Sequence, residues 1–130
     1  MIEEAEQIIE TALQIGWTDS PVDFDNVQFN PVKGQPYIRM QIEWFDAAGA
    51  GPHRIREDGY VLLHIFVPVH MGTRFQAKMI DKLKILFMNL RITGMHFKPS
   101  RVQRVGENRG WYQRNLIVPF DYNYCREIQS

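Results

Sequence analysis

Residues Asp58 to Leu90, DGYVLLHIFVPVHMGTRFQAKMIDKLKILFMNL, join the most apolar run of the chain to its best amphipathic repeat. From Tyr60 to Val67 the run is almost continuously apolar. Its short length, with Val61, Ile65 and Val67 in it, predicts a strand buried on both faces and therefore central in a sheet. Pro68 has no N–H to give to a ladder and marks the end of that strand or an edge position. After a turn at Met71-Gly72, Thr73 is the expected N-cap of a helix. The helix has an apolar stripe of Phe75, Met79, Leu83, Leu86, Phe87 and Leu90, with Ile80 beside it, that can cover one face of the sheet. The opposite side carries Arg74, Lys78, Asp81, Lys82, Lys84 and Asn89, yet Ile85 and Met88 fall among them. That pair is either the scattered apolar surface of any soluble domain or a contact for a partner.

Upstream, Ile2 to Gly16 predicts a helix with a stripe of Ile2, Ala5, Ile9, Ala12 and Leu13, widened by Ile8 and Ile15. Glu3, Glu4 and Glu6 suit its positive end, and Gly16 is a natural terminator. A turn at Asp19-Ser20-Pro21 leads to a polar extended segment, Val22 to Phe29. Tyr37 to Phe45 alternates Ile38, Met40, Ile42 and Trp44 with Arg39, Gln41 and Glu43, the period of a strand with one buried face. Asp46 to Glu57 is rich in Ala, Gly and Pro and reads as a loop, long beside the usual connection of about 2–5 residues. Its tip, His53-Arg54-Ile55-Arg56, is either a solvated hairpin end or an arm that orders in an assembly.

Downstream, Ile92 to Phe97 and Arg101 to Val105 read as extended segments separated at Lys98-Pro99-Ser100. Gly106 to Gly110 reads as a hairpin loop, and Trp111 to Phe120 as the last strand, closing at Val118-Pro119. Runs of strands with segregated helices imply an α+β fold. The expected form is a mainly antiparallel sheet of about four to six strands, packed with an N-terminal helix and one long central helix. A length of 130 residues without an internal repeat or linker fits one domain, 1–130.

Fifteen basic and fifteen acidic residues balance, and 45% of the chain is apolar, which speaks against disorder and against free nucleic acid as the main partner. The single cysteine, Cys125, excludes an internal disulfide and a thiolate metal site of its own. No signal-like N-terminus and no apolar window of roughly 18 residues is present, so neither secretion nor a membrane span is expected.

Chemistry-bearing patterns are sparse. His64 and His70 lie roughly 20 Å apart along an extended chain, too far to share a metal ion. His53 falls in the loop, and His96 has no Cys, Asp or Glu at ligand spacing. Nucleophile elbow, phosphate-binding glycine loop, dinucleotide fingerprint and zinc-protease motifs are missing. Glu57 and Asp58 are adjacent and point to opposite faces if extended. Arg101, Arg104, Arg109 and Arg114 flank Trp111 and Tyr112, a pattern that suits either ordinary hairpin surface or stacking on a single-stranded nucleic acid. The methionines suit adaptable core packing or an interface.

One pattern extends over nearly the whole chain. It runs from the acidic N-terminal helix through Asn26-Val27-Gln28-Phe29-Asn30-Pro31 and Pro36-Tyr37-Ile38-Arg39. It continues with Gly59-Tyr60-Val61 to Val67-Pro68, a Gly-containing turn into a helix, and Gly110-Trp111-Tyr112 leading to Val118-Pro119-Phe120. This resembles the small phage tail-terminator-like proteins, similar to the tail terminators of long, non-contractile-tailed phages. The resemblance implies a virion protein of the tail or neck without enzymatic activity or cofactor. It would be a subunit of a hexameric ring that caps the tail tube, stops polymerisation and presents a surface for joining the head. Its implied partners are copies of itself, the tail tube protein and a head-tail connector or stopper, with DNA only passing through the lumen and no membrane. Another neck or head-completion protein is the near alternative. Expected contact residues are Ile85 and Met88 on the helix, Arg39 and Glu43 on the polar face of their strand, and Arg54 and Arg56 in the loop. The two arginines either line a pore or hold a neighbour's carboxylates.

Overall fold

A computed structural model describes residues 2–24, 29–45, 48–49 and 54–125. Helix α1, Ile2–Gly16, has the bounds that the apolar period requires, and it buries Ala5, Ile9 and Leu13. The stripe is narrower than expected: Ile8 is 42% and Ile15 76% exposed, so these two face outward instead of widening the buried side. A short strand β1, Val22–Phe24, follows. It covers only the start of the expected Val22 to Phe29 segment, of which residues 25–28 lie outside the described residues.

Strand β2, Tyr37–Trp44, pairs parallel with β1 and antiparallel with β4, Arg54–Pro68. The expected loop is thus partly sheet: β3, Ala48–Gly49, pairs with Ile55 and Arg56 of β4. β4 is central, as its apolar run requires, but only one of its faces is fully buried. Val61, Leu63, Ile65 and Val67 point into the core, while Tyr60, Leu62, His64 and Phe66 are half-buried on the other side.

A 3-10 turn, Val69–Met71, leads to α2, Gly72–Asn89. The helix begins before Thr73, with Met71 at the cap position and no side-chain cap. It buries Met79, Ile80, Leu83 and Phe87 but leaves Phe75 40% exposed. Gln76, next to it, takes the buried place instead. Its amide Nε2 donates to the carbonyls of Ile65 (2.8 Å) and Tyr112 (3.1 Å), tying the helix to two strands.

Beyond α2, β5 is Met95–Phe97, shorter than expected because Ile92 accepts a turn bond from the Met95 N–H. β6, Arg101–Asn108, and β7, Trp111–Cys125, are longer than expected, and the turn between them shrinks to Arg109-Gly110. β7 pairs along its whole length with β4. On its other side it pairs first with β6, through a bulge between Arg104 and Gly106, and then with β5. Pro119 does not end this strand. Its carbonyl accepts the Lys98 N–H, so its missing N–H faces the same side, where pairing has lapsed between β6 and β5.

The result is an α+β fold, a sheet of seven strands in which β1-β2-β4-β7-β5 follow in order, β3 adds to β4 and β6 to β7, antiparallel except for β1 with β2. The buried residues of both helices form one core with Ile38, Met40, Val61, Leu63, Leu116, Val118 and Phe120. Both helices therefore lie on the same side of the sheet. Burying a side chain of Leu or Phe size stabilises by about 1.5–3 kcal/mol, so that single layer of contacts carries most of the stability.

Candidate assembly surface

No described element covers the second face of the sheet. Cross-strand partners share a face, so the register defines it: Tyr37 lies beside Phe66, Arg39 beside His64, and Glu43 beside Tyr60. On the far side of β4, His64 faces Asn115, Leu62 faces Ile117, and Phe66 faces Gln113. The face has three zones that cross β2, β4, β7 and β6.

At one end is an aromatic cluster. Tyr37 stacks on Phe66 with centroids 4.6 Å apart and meets Trp111 edge-on at 5.1 Å and Phe29 at 5.4 Å. The Arg39 guanidinium lies over the Phe66 ring at 5.7 Å, while its Nε donates to Asp23 at 2.9 Å. Burial pushes the Tyr37 hydroxyl up; nearby Arg39 opposes the shift and Asp23 adds to it.

The middle zone is a polar ladder centred on His64. Its Nε2 lies 3.0 Å from the Gln41 Oε1, and its Nδ1 lies 3.0 Å from the Asn115 Oδ1. Gln113 Nε2 bridges to the His64 Nδ1 (3.0 Å) and to the Asn115 Oδ1 (2.9 Å), and Asn115 Nδ2 reaches the Gln103 Oε1 at 3.3 Å. Burial lowers the His64 pKa, against the pull of the Asn115 oxygen, and the charge of Arg39 lowers it further. A network of this kind fixes strand register while presenting amide edges outward.

At the other end lies an apolar depression of about 430 Å³, lined by Phe45, Tyr60, Leu62, Ile117 and Pro119. Arg101 and Gln103 of β6 form its polar border. Phe45 and Tyr60 are 5.6 Å apart.

Three of the six expected contact residues, Arg39, Glu43 and Arg56, fall on this face by register. Arg56 pairs with Asp58 at 3.3 Å within β4 and not in a loop. Arg54 opens β4 opposite Cys125, but its side chain lies outside the described residues, as do those of Ile55 and Cys125 and the whole of His53. Ile85 and Met88 are brought to a different place, the outward side of α2, where they are 56% and 69% exposed. The ladder was missed from sequence, although polar Gln113 and Asn115 alternating in an apolar strand, with His64 in another, were its signal.

The remaining chemistry-bearing residues do not converge. His70 is exposed in the 3-10 turn, His96 meets Asp121 at 3.0 Å at the surface, and no group of three metal-ligating side chains exists among the described residues. Glu57 is buried, while Asp58 faces the other way. The arginines around Trp111 are divided. Arg101 is on the open face, Arg104 and Arg114 are cross-strand partners on the helix side, and Arg109 sits in the turn at φ 52°. Trp111 packs on Tyr37, whereas Tyr112 packs against the core with the Arg114 guanidinium 5.7 Å from its ring. No described helix is long and apolar enough to cross a membrane.

No family model matches the chain, and no curated protein does. Among solved structures, 22 chains match; one, which carries no descriptive name, has a TM-score of 0.65 over 96% of this chain and 98% of its own, at 18% identity. That likeness shows a shared fold.

Proposed function

We propose that this chain is a structural virion subunit, a tail terminator that closes into a ring on the finished tail tube. The ring ends tube polymerisation and offers the surface to which the head is joined. The observation that carries the reading is the uncovered face of the sheet, aromatic at one end, hydrogen-bonded in the middle and apolar at the other. A two-layer α+β domain with such a face suits a subunit that finishes its burial against neighbours. The short β1 at one border of the sheet and β5 with β6 at the other give each subunit two unlike flanks, as a head-to-tail ring requires. The sequence resemblance to tail-terminator-like proteins supports the same reading, with a hexamer as the expected closure, the tube protein below, a connector or stopper above and DNA passing through the lumen. The role needs no cofactor and no covalent step.

Light scattering of the purified chain, free and mixed with assembled tubes, tests the ring; electron microscopy of particles lacking the protein tests its role. The expected results are a closed oligomer at tube ends and, without the protein, tails of uncontrolled length that fail to join heads. A chain that remains monomeric in both settings, with normal particles in its absence, overturns the reading. A ring found at the head side of the neck, with tails of normal length in its absence, would assign the chain to head completion instead.

A further inference from the structure

A groove of about 590 Å³ opens between the end of α2 and the segment around β5, on the opposite side of the molecule from the polar ladder. Its floor is apolar: Phe87 meets Phe97 edge-on at 5.8 Å, with Met95 and Val118 beside them. Its border is basic, with Lys84, Arg91 and Lys98 and no carboxylate among the lining residues. The nearby Asp121 is engaged by His96. Arg91 also donates to the Met88 carbonyl at 2.8 Å, and the exposed Met88 forms the lip of the groove.

The complementary surface is elsewhere on the same chain. α1 contains Glu3, Glu4, Glu6 and Glu10 and no basic residue. Glu4, Ile8, Thr11 and Ile15 follow one another at helical spacing on its outward side, all exposed. α1 lies beside β1 and is tied to β2 by a bond from the Trp44 Nε1 to the Glu6 Oε1 at 2.9 Å. The groove is built on β5, at the opposite border of the sheet. The C-terminal end of α1 reaches α2, where Gly16 lies against the Leu86 side chain, so the acidic helix with two exposed isoleucines and the basic groove with an apolar floor are separate surfaces of one helical layer.

We infer that the outward stripe of α1 in one copy seats in the α2–β5 groove of the next copy, Ile8 and Ile15 against the apolar floor and the α1 carboxylates against Lys84, Arg91 and Lys98. This rests on the reading of the chain as a ring subunit and names the surfaces through which the ring closes. The contact is heterologous, so repetition around an axis leaves no unpaired α1 and no empty groove.

Chains carrying only Ile8→Cys and only Met88→Cys, each in a Cys125→Ser background, are purified separately and mixed under mild oxidation. The mixed disulfide must then join different copies. Its yield is expected to exceed by at least tenfold that of a control mixture in which Thr73→Cys, exposed at the start of α2, replaces Met88→Cys. Lys84→Glu with Lys98→Glu is expected to prevent oligomerisation by light scattering, and mixing that variant with a Glu3→Lys, Glu4→Lys chain to restore a closed oligomer in which the two chains alternate. A wild-type ring whose cross-linking does not exceed the control overturns the inference and leaves the ring reading standing. A wild-type chain that is monomeric alone and on tubes overturns both.

Discussion

Gly59 has no room for a side chain. A methyl group there would collide with the Glu43 carbonyl and press on the Phe120 ring, which, with Trp44 edge-on at 5.0 Å, fills the space beside the glycine. Gly59→Ala is expected to cost about 1–3 kcal/mol, the usual penalty of overpacking, seen as a lower urea midpoint with an unchanged slope. His64 makes stability depend on pH. Its folded pKa is lowered by burial, so between the folded and unfolded values the unfolded chain holds the additional proton. Stability is complete above the ordinary histidine value of about 6.5 and declines as pH falls below it. A thermal melt series is expected to show this decline in the wild type and a flatter profile in His64→Gln. Neither residue announces its role in the sequence: Gly59 stands out there only within the Gly59-Tyr60-Val61 pattern and His64 only as a metal-ligand candidate beside His70. Gln76 was hidden for a related reason, since helical periodicity offered Phe75 for burial. Two sheet carbonyls that need a donor decided otherwise.

At the scale of elements, α1 and β2 were legible because one period describes each of them and both have a single buried face. Ile8 and Ile15 were misplaced because hydrophobicity alone does not say how wide the buried stripe is. Leu13→Ala is expected to lose about 2–5 kcal/mol, as for a fully buried leucine, while Ile15→Ala, made in the Lys84→Glu, Lys98→Glu chain so that α1 has no neighbour, stays within about 0.5 kcal/mol. Denaturant titration of both variants checks the contrast. The early part of β4 was read as loop because Ala, Gly and Pro precede it, and local preference is weak against a partner strand. β7 supplies a ladder from Arg54 to Pro68 that no window of sequence near Arg54 contains. The extension of β7 past Pro119 was illegible likewise, since tolerance of that proline depends on a lapse in pairing made by β5 and β6 far from it in sequence.

For the whole molecule, fold class and the central place of β4 could be read from order and pattern, whereas both candidate surfaces arise from register and layer. The uncovered face depends on both helices choosing the same side, and the groove on where α2 ends relative to β5. If acidic α1 and the basic groove meet between copies, association is expected to weaken as salt rises from about 0.1 M to 1 M, where the screening length falls from about 10 Å to 3 Å. Sedimentation across that range checks it, and an oligomer unaffected by salt would leave the apolar contacts alone responsible. The full-length pairing of β4 with β7 has a further consequence, for the order of events during synthesis. The sheet joins residues 54–68 to residues 111–125, so its centre closes a long stretch of intervening chain. Until the ribosome has delivered β7, the most apolar strand of the protein has one edge bare. Closure of the sheet therefore waits for β7, and until then a bare apolar edge is open to aggregation.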